Sequence, residues 1–272
     1  MLQTDKEFTG SIPEFYDTYL VPLIFTDCAE DLAKRVASQK PSSVLEIAAG
    51  SGVVPRILAP LLSPTSRYVV TDLNPAMLDH AEQRQGEPNN IEWLPADALD
   101  LPFAADTFDV AHCQHGVMFF PDRIAGYQQA HRVLKPGGTF VFNVWDQISE
   151  NEFANTVTEV ASQFFPKDPP RFLARTPHGY SDPEQIKSDL HAAGFAKVEI
   201  ETRAGVSAAP SARHPAIAYC QGTPLRAEIE ARDAGLLSEI TEQAAKVIAD
   251  RFGDGPVKGK IQSHVITATT AA

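Results

Sequence analysis

Between Ser42 and Asp146 short apolar runs alternate with stretches whose apolar residues recur at helical spacing. The runs "SVLEIAA", "RYVVTDL", "IEWLPA", "FDVAHCQ" and "GTFVFNVW" have the length and β-branched or aromatic content of buried strands. Between them, "VVPRILAPLL", "NPAMLDHAEQRQ" and "PDRIAGYQQAHRVL" read as helices. Asn74 is placed to cap the second of these with Pro75 in its first turn, and "KPGG" reads as the stop of the third. Strands interleaved with helices imply right-handed crossovers and a parallel sheet, hence a doubly wound α/β domain.

After Asp146 the alternation loosens. "SDPEQIKSDLHAAGF" predicts a helix capped by Ser181 and ended by Gly194, followed by a strand, "AKVEIETR". A last strand, "IQSHVITAT", closes the chain. Residues 147–180 and 207–260 do not fit the pattern; the second contains a long helical stretch, "TPLRAEIEARDAGLLSEITEQAAKVIADRF". Excursions of this length usually carry function, so both are expected to be helical cap elements over the carboxyl ends of the strands. At the amino end, apolar positions at helical spacing through Ile24, Ala29 and Leu32 predict a helix packed on the sheet domain.

Composition narrows the possibilities further. With 272 residues, 43% of them hydrophobic, the chain can build one sizeable core with additions. The net charge of −12 disfavours a nucleic-acid partner in the absence of any local basic patch. No window approaches a membrane span, and the polar start "MLQTDKEFTG" does not look like a secretory leader, so the expected setting is cytoplasmic. Cys28, Cys113 and Cys220 are far apart and odd in number, which suits reduced packing residues better than disulfides or a zinc site, and no metal is expected.

The turn after the first strand, "VLEIAAGSGVV", carries the chemistry. A Walker phosphate loop needs Gly-Lys-Ser/Thr, and this turn has no lysine. A dinucleotide fingerprint needs a third glycine where Pro55 stands, which disfavours a nicotinamide oxidoreductase. What remains is an acid followed by small residues at alternate positions: Glu46, Ala48, Gly50 and Gly52.

That pattern resembles the first motif of class I S-adenosylmethionine-dependent methyltransferases, acid-x-Gly-x-Gly-x-Gly. Ala48 stands for the first glycine, a departure that a negative φ would tolerate. Further landmarks follow in family order: "VVTDLNPAML", "WLPADALDLPF", "FDVAHCQHGVMFF" and "HRVLKPGGTFVF". The likeness is firm over residues 40–146 and extends to about 203, nearest the ubiquinone/menaquinone-biosynthesis branch. It implies a Rossmann-like, seven-stranded, mostly parallel sheet with the last strand antiparallel. It divides the chain into an amino-terminal helical segment (1–40), an S-adenosylmethionine-binding domain (41–203 and 261–272) and the two inserted caps.

The resemblance also implies roles. Glu46, Ala48, Gly50 and Gly52 would line the cofactor loop, with Glu46 either bonding loop N–H groups or accepting from the methionine ammonium through water. Asp72 would accept from both ribose hydroxyls, Leu73 and Met77 would adjoin the adenosine, and Asp97 and Ala98 would meet the adenine edge. Gln114 would accept from the ammonium, and Tyr19 would close the methionine end. His115, at the end of the fourth strand, is the candidate general base if the acceptor must lose a proton. Tyr16, Phe119, His178 and Tyr180 are candidates for the acceptor pocket. The expected reaction is in-line methyl transfer to a small, aromatic or partly apolar acceptor, leaving S-adenosylhomocysteine, by a monomer or homodimer. The alternatives are a non-catalytic S-adenosylmethionine-binding protein and the NAD-dependent oxidoreductase already disfavoured by Pro55.

Overall fold

The computed structural model describes residues 15–86 and 91–272. The polar start of the chain and residues 87–90 lie outside the described residues. A π-helical stretch, Tyr16–Phe25, leads into α1 (Thr26–Ser38), and then β1 (Ser43–Glu46), α2 (Val53–Leu58), β2 (Arg67–Asp72), α3 (Pro75–Gln85), β3 (Ile91–Pro95) and β4 (Phe108–Gln114) follow. The chain continues through α4 (Arg123–Val133), β5 (Leu134–Trp145), α5 (Glu152–Phe164), α6 (Phe172–Arg175), α7 (Pro183–Ala192) and β6 (Lys197–Ala209). It ends with α8 (Arg213–Gln221), α9 (Leu225–Asp233), α10 (Leu237–Phe252) and β7 (Val257–Thr269).

The strands form one seven-stranded sheet in the order β3-β2-β1-β4-β5-β7-β6. Pairings from β3 to β5 are parallel, and β7 runs antiparallel to both its neighbours, as expected. The order reverses between β1 and β4, and at such a switch point the crossovers leave opposite faces and open a crevice at the carboxyl ends of the strands. Val44, Leu45, Val69, Val70, Ala111, Phe140 and Phe142 are fully buried, which explains why these strands read as unbroken apolar runs.

The chain divides into two compact units. The first comprises the described residues up to Phe25, Trp145–Ser181 and Arg203–Ser263; the second comprises the described residues of Thr26–Val144, Asp182–Thr202 and His264–Ala272. In the second, Tyr127 stacks on Phe142 at 5.5 Å and Phe140 on Phe195 at 6.2 Å. In the first, Phe153 meets Phe252 edge-on at 5.1 Å, tying α5 to α10. Also in the first, the Glu228 carboxylate of α9 accepts from the N–H groups of Arg171 and Phe172 and from Arg175 Nη2, which fixes the start of α6.

Several local expectations change. Tyr16–Phe25 is a π-helix with Pro22 inside it, where in a regular helix the proline ring would clash with the carbonyl four residues back. "KPGG" lies within β5 rather than merely ending α4: Phe108 pairs with Leu134 but Val110 with Thr139, so the extra residues bulge out. Gly137, at φ 74°, donates from that bulge to the Ala271 carbonyl. β6 runs on to Ala209 and β7 starts at Val257, both longer than the strands expected from the sequence. Residues 201–206 of β6 are all exposed, and the strand is held by pairing with β7 instead of by an apolar face that the sequence would reveal.

Asn74 caps α3 as expected, accepting from Ala76 N–H at 3.0 Å. At α7, however, the cap is Asp182, whose carboxylate accepts from Glu184 N–H at 3.0 Å, in place of Ser181. Pro183 then occupies the first helical position, where its missing N–H costs nothing. Asp182→Ala should therefore lower stability by about 1 kcal/mol, whereas Ser181→Ala should leave the urea midpoint unchanged; equal effects would contradict this capping geometry.

Candidate active site

The loop from Ile47 to Gly52 leaves β1 at the switch point. Its path is fixed by Ile47 N–H donating to the His112 carbonyl (2.9 Å) and Ala49 N–H to the Thr71 carbonyl (3.0 Å). Three of its residues adopt left-handed backbone: Ala48 (φ 56°), Gly50 (57°) and Gly52 (75°). The negative φ expected for Ala48 is thus corrected. The alternate small residues share a strained conformation, and alanine bears at position 48 the penalty that glycine avoids at 50 and 52. Gly52 is also sterically confined: a Cβ there would lie 2.7 Å from Ala81 Cβ on α3. A Cβ on Gly50 would meet nothing within 4 Å, so the main chain there is open to a ligand.

Asp72 ends β2 beside this loop. One carboxylate oxygen accepts from Gly50 N–H and the other from Asn74 N–H, each at 2.8 Å. The expected loop-orienting role of Glu46 therefore belongs to Asp72. Burial pushes the Asp72 pKa up, opposed by the N–H groups of Asn74, Gly50 and Leu73. Each oxygen keeps a second lone pair, enough to accept from two vicinal hydroxyls. Leu73, next to it, is 54% exposed, an apolar surface with no protein covering. Met77 is 7% exposed in the first turn of α3.

Glu46 sits under the loop at the end of β1, 1% exposed. Its carboxyl group accepts from Tyr68 Oη, and Tyr68 Oη lies 3.3 Å from His112 Nε2. Burial raises the Glu46 pKa to about 8 and lowers that of His112 to about 3. His112 belongs to this cluster, and Tyr68 is a partner that an apolar strand reading conceals. Thr71 Oγ1 donates to the Glu46 carbonyl, and Arg56 Nη1 to the Ser51 carbonyl, bracing the loop from β2 and α2.

The remaining candidates of the second unit stand on neighbouring strand ends. Asp97 is exposed after β3, where its carboxylate accepts from Leu99 N–H at 2.9 Å, and Ala98 is buried. Gln114 ends β4 and pairs with Asn143 of β5. His115 follows at φ 47°, with its N–H shared between the Asn143 carbonyl (3.2 Å) and Oδ1 (2.9 Å). Asn143, 1% exposed, thus sets the strained turn that carries His115, a role no sequence motif announces. Phe119 is partly exposed in the turn Val117–Phe119, whereas Met118 is core.

Tyr16, Tyr19, His178 and Tyr180 belong to the first unit. Tyr16 stacks on Phe25 at 5.3 Å, and Tyr19 meets His214 edge-on at 4.9 Å. His178 Nδ1 bonds the Asp146 carbonyl at 2.8 Å, and burial, opposed by that bond, lowers its pKa to about 4. Tyr180 is 4% exposed.

The groups around the loop suit a positively charged nucleoside. Two carboxyls, the buried Glu46 and the half-buried Asp72, flank it, and its arginine neighbour is turned to a backbone carbonyl. A pyrophosphate would face acids here, whereas an ammonium or sulfonium would be attracted.

Residues 26–214 match the ubiE/COQ5 methyltransferase family. The chain belongs to that family. Relatives include the ubiquinone/menaquinone biosynthesis C-methyltransferase UbiE of Coxiella burnetii, 27% identical over 74% of this chain and 86% of that protein. The enzyme of the same description from Ectopseudomonas mendocina is 29% identical over 60% of this chain and 68% of its own length. The demethylmenaquinone methyltransferase of Staphylococcus carnosus is 26% identical over 65% and 77%. Among solved structures, Haemonchus contortus phosphoethanolamine N-methyltransferase 2 with S-adenosyl-L-methionine superposes with a TM-score of 0.57 at 17% identity, covering 97% of this chain and 61% of that one. The YcgJ protein of Bacillus subtilis gives 0.57 at 18% identity over 90% and 99%. This ubiE/COQ5 family member is an S-adenosylmethionine-dependent methyltransferase. Among its described residues no helix is long and apolar enough to cross a membrane.

Proposed function

We propose that this methyltransferase alkylates a ring carbon of a small, partly apolar aromatic acceptor of the quinol class. The observation that carries the reading is the likeness over most of the chain to a ubiquinone/menaquinone biosynthesis C-methyltransferase and to a demethylmenaquinone methyltransferase. When bound, S-adenosylmethionine supplies an electrophilic methyl group on a cationic sulfur. The protein's own contribution is binding, orientation and proton handling. Asp72 grips the ribose, and the left-handed loop 48–52 lets main chain approach the amino-acid end. Leu73 and Met77 flank the adenosine, Asp97 and Ala98 its base edge, and Gln114 with Glu46 the ammonium. Such orientation contributes roughly 7–11 kcal/mol towards the barrier.

His115 is the base of this reading: it takes the acceptor's hydroxyl proton, which makes the ring carbon more nucleophilic. Once that carbon has taken the methyl and the thioether has left, the carbon loses its own proton to solvent, the ring regains aromaticity, and His115 returns the hydroxyl proton. Phe119, four residues on, supplies aromatic surface to the acceptor. On sequence grounds Tyr16, His178 and Tyr180 are assigned to substrate recognition and Tyr19 to closing the methionine end of the cofactor, and Tyr→Phe and His→Ala variants test the assignments through KM for the acceptor and for S-adenosylmethionine.

The experiment supplies methyl-labelled S-adenosylmethionine with a demethylmenaquinol analogue, simple phenols and amines, and locates the label by NMR. Label on the quinol ring carbon is expected; label confined to oxygen or nitrogen acceptors would overturn the reading. His115→Ala should reduce turnover about hundredfold or more, abolish the acidic limb of the pH profile and leave S-adenosylmethionine affinity intact. Near-normal turnover at all pH values would remove the base.

A further inference from the structure

Three ionisable side chains meet beneath the cofactor loop, out of reach of solvent. Glu46 lies directly opposite His112 in the β1–β4 ladder, and on the other side it pairs with Val70, two residues beyond Tyr68. Period-two alternation turns all three side chains to one face of the sheet. The result is a hydrogen-bonded line folded into a close triangle: Glu46 Oε2, Tyr68 Oη, His112 Nε2, with Tyr68 bonded to Glu46, 3.3 Å between Tyr68 and His112, and 3.7 Å from His112 Nε2 to Glu46 Oε2. Relative exposures are 1% for Glu46, 1% for Tyr68 and 0% for His112. His112 Nδ1 has no hydrogen-bond partner among the described residues.

A hydroxyl carries one proton, so this line has two consistent arrangements. With Glu46 ionised, His112 Nε2–H donates to Tyr68 Oη and Tyr68 O–H donates to the carboxylate. With Glu46 protonated, its O–H donates to Tyr68 Oη, Tyr68 O–H donates to His112 Nε2, and the imidazole proton sits on Nδ1. The second arrangement holds one proton more and no buried charge. Both satisfy Glu46 Oε2, Tyr68 Oη and His112 Nε2 and differ only in whether the unpartnered His112 Nδ1 carries a proton, so the cluster can change charge without moving a heavy atom.

We propose that Glu46, enclosed beneath the loop, is a carboxylic acid in the free protein, that Tyr68 and His112 are positioning residues whose hydrogen bonds let it ionise in place, and that binding of S-adenosylmethionine expels its proton to solvent. The inference rests on the cofactor site proposed above. The driving force is electrostatic: a ligand bearing an ammonium and a sulfonium favours the ionised carboxylate beside it. Other charged groups set the balance. Asp72 of β2 opposes ionisation of Glu46 and Arg56 of α2 favours it, while the neighbouring Cys113 thiol of β4, pushed far up by burial, stays neutral. Burial places the Glu46 pKa at about 8, so the acid form prevails at neutrality.

The sign follows from linkage. Below the free-state pKa the cofactor must displace a proton, so affinity rises with pH, roughly tenfold per unit, and levels off above about pH 8. Tyr68→Phe removes a donor to the carboxylate, so the plateau should move to higher pH. A merely structural defect would lower affinity equally at every pH.

The test is titration calorimetry of the intact protein with S-adenosylmethionine at pH 7 in phosphate and in Tris, whose ionisation enthalpies differ. Release of about one proton per cofactor bound is expected for the wild type, and none for Glu46→Gln, whose affinity should be independent of pH from 6 to 9. Identical heats in the two buffers for the wild type, or unchanged release in Glu46→Gln, would overturn the inference. Should Glu46→Gln not fold, the upward shift of the plateau in Tyr68→Phe decides, and an unshifted plateau refutes it. Asp72→Ala separates the two readings: if it leaves affinity unchanged the cofactor site is misplaced, whereas weakened binding together with no proton release in the wild type defeats this inference alone.

Discussion

Asp72→Ala is expected to weaken S-adenosylmethionine binding by about a hundredfold or more while leaving the protein folded. Two effects add in one substitution. The carboxylate orders the loop by accepting from Gly50 and Asn74 N–H, and in the proposed complex it also accepts from the sugar. Hydrogen bonds to a charged partner are worth about 1.5–3 kcal/mol each, so two lost contacts already account for the factor. Asp72→Asn should be nearly as damaging, because its NH2 group would face one of the two backbone N–H donors. Calorimetric affinities for S-adenosylmethionine and S-adenosylhomocysteine check the result; a loss under fivefold for both would remove Asp72 from the cofactor site.

The second large effect is expected at Gly52. Gly52→Val places a β-branched residue at φ 75° with its Cβ 2.7 Å from Ala81 Cβ. Backbone strain and overpacking against α3 together should cost about 3 kcal/mol, read as a lowered denaturant midpoint, and cofactor binding should be lost with the loop's path. Gly50→Ala is the informative contrast. Its added Cβ meets no protein atom, so only the left-handed penalty of about 1 kcal/mol applies to stability. Ala48, at φ 56°, shows that the loop already bears that penalty once. Comparable stability losses at Gly50 and Gly52 would mean that α3 does not confine the loop.

Much of the sheet domain was legible because its signals are local. Buried parallel strands read as apolar runs, Asn74 followed by Pro75 marks the start of α3, and the acid-to-glycine spacing after β1 brings the loop into register with Asp72 about twenty residues later. The termini of β6 and β7 lie beyond the stretches their sequence marks, for the complementary reason. Exposed residues such as Thr202 to Val206 carry no burial pattern, and only the neighbouring strand makes them β.

Each strand, each helix and the acid and small residues of the loop could be read from short local stretches, and the order of those stretches over residues 40–146 carried the family and its cofactor. The tertiary structure alone decided that Asp72 rather than Glu46 orders the loop, that Ala48 is left-handed, that Asn143 holds the turn before Gly116, and that Glu46 shares a proton line with Tyr68 and His112. Those partners stand 22 to 44 residues apart along the chain, and which side chains face one another across a sheet is set by strand order and register, neither of which any local stretch of sequence contains.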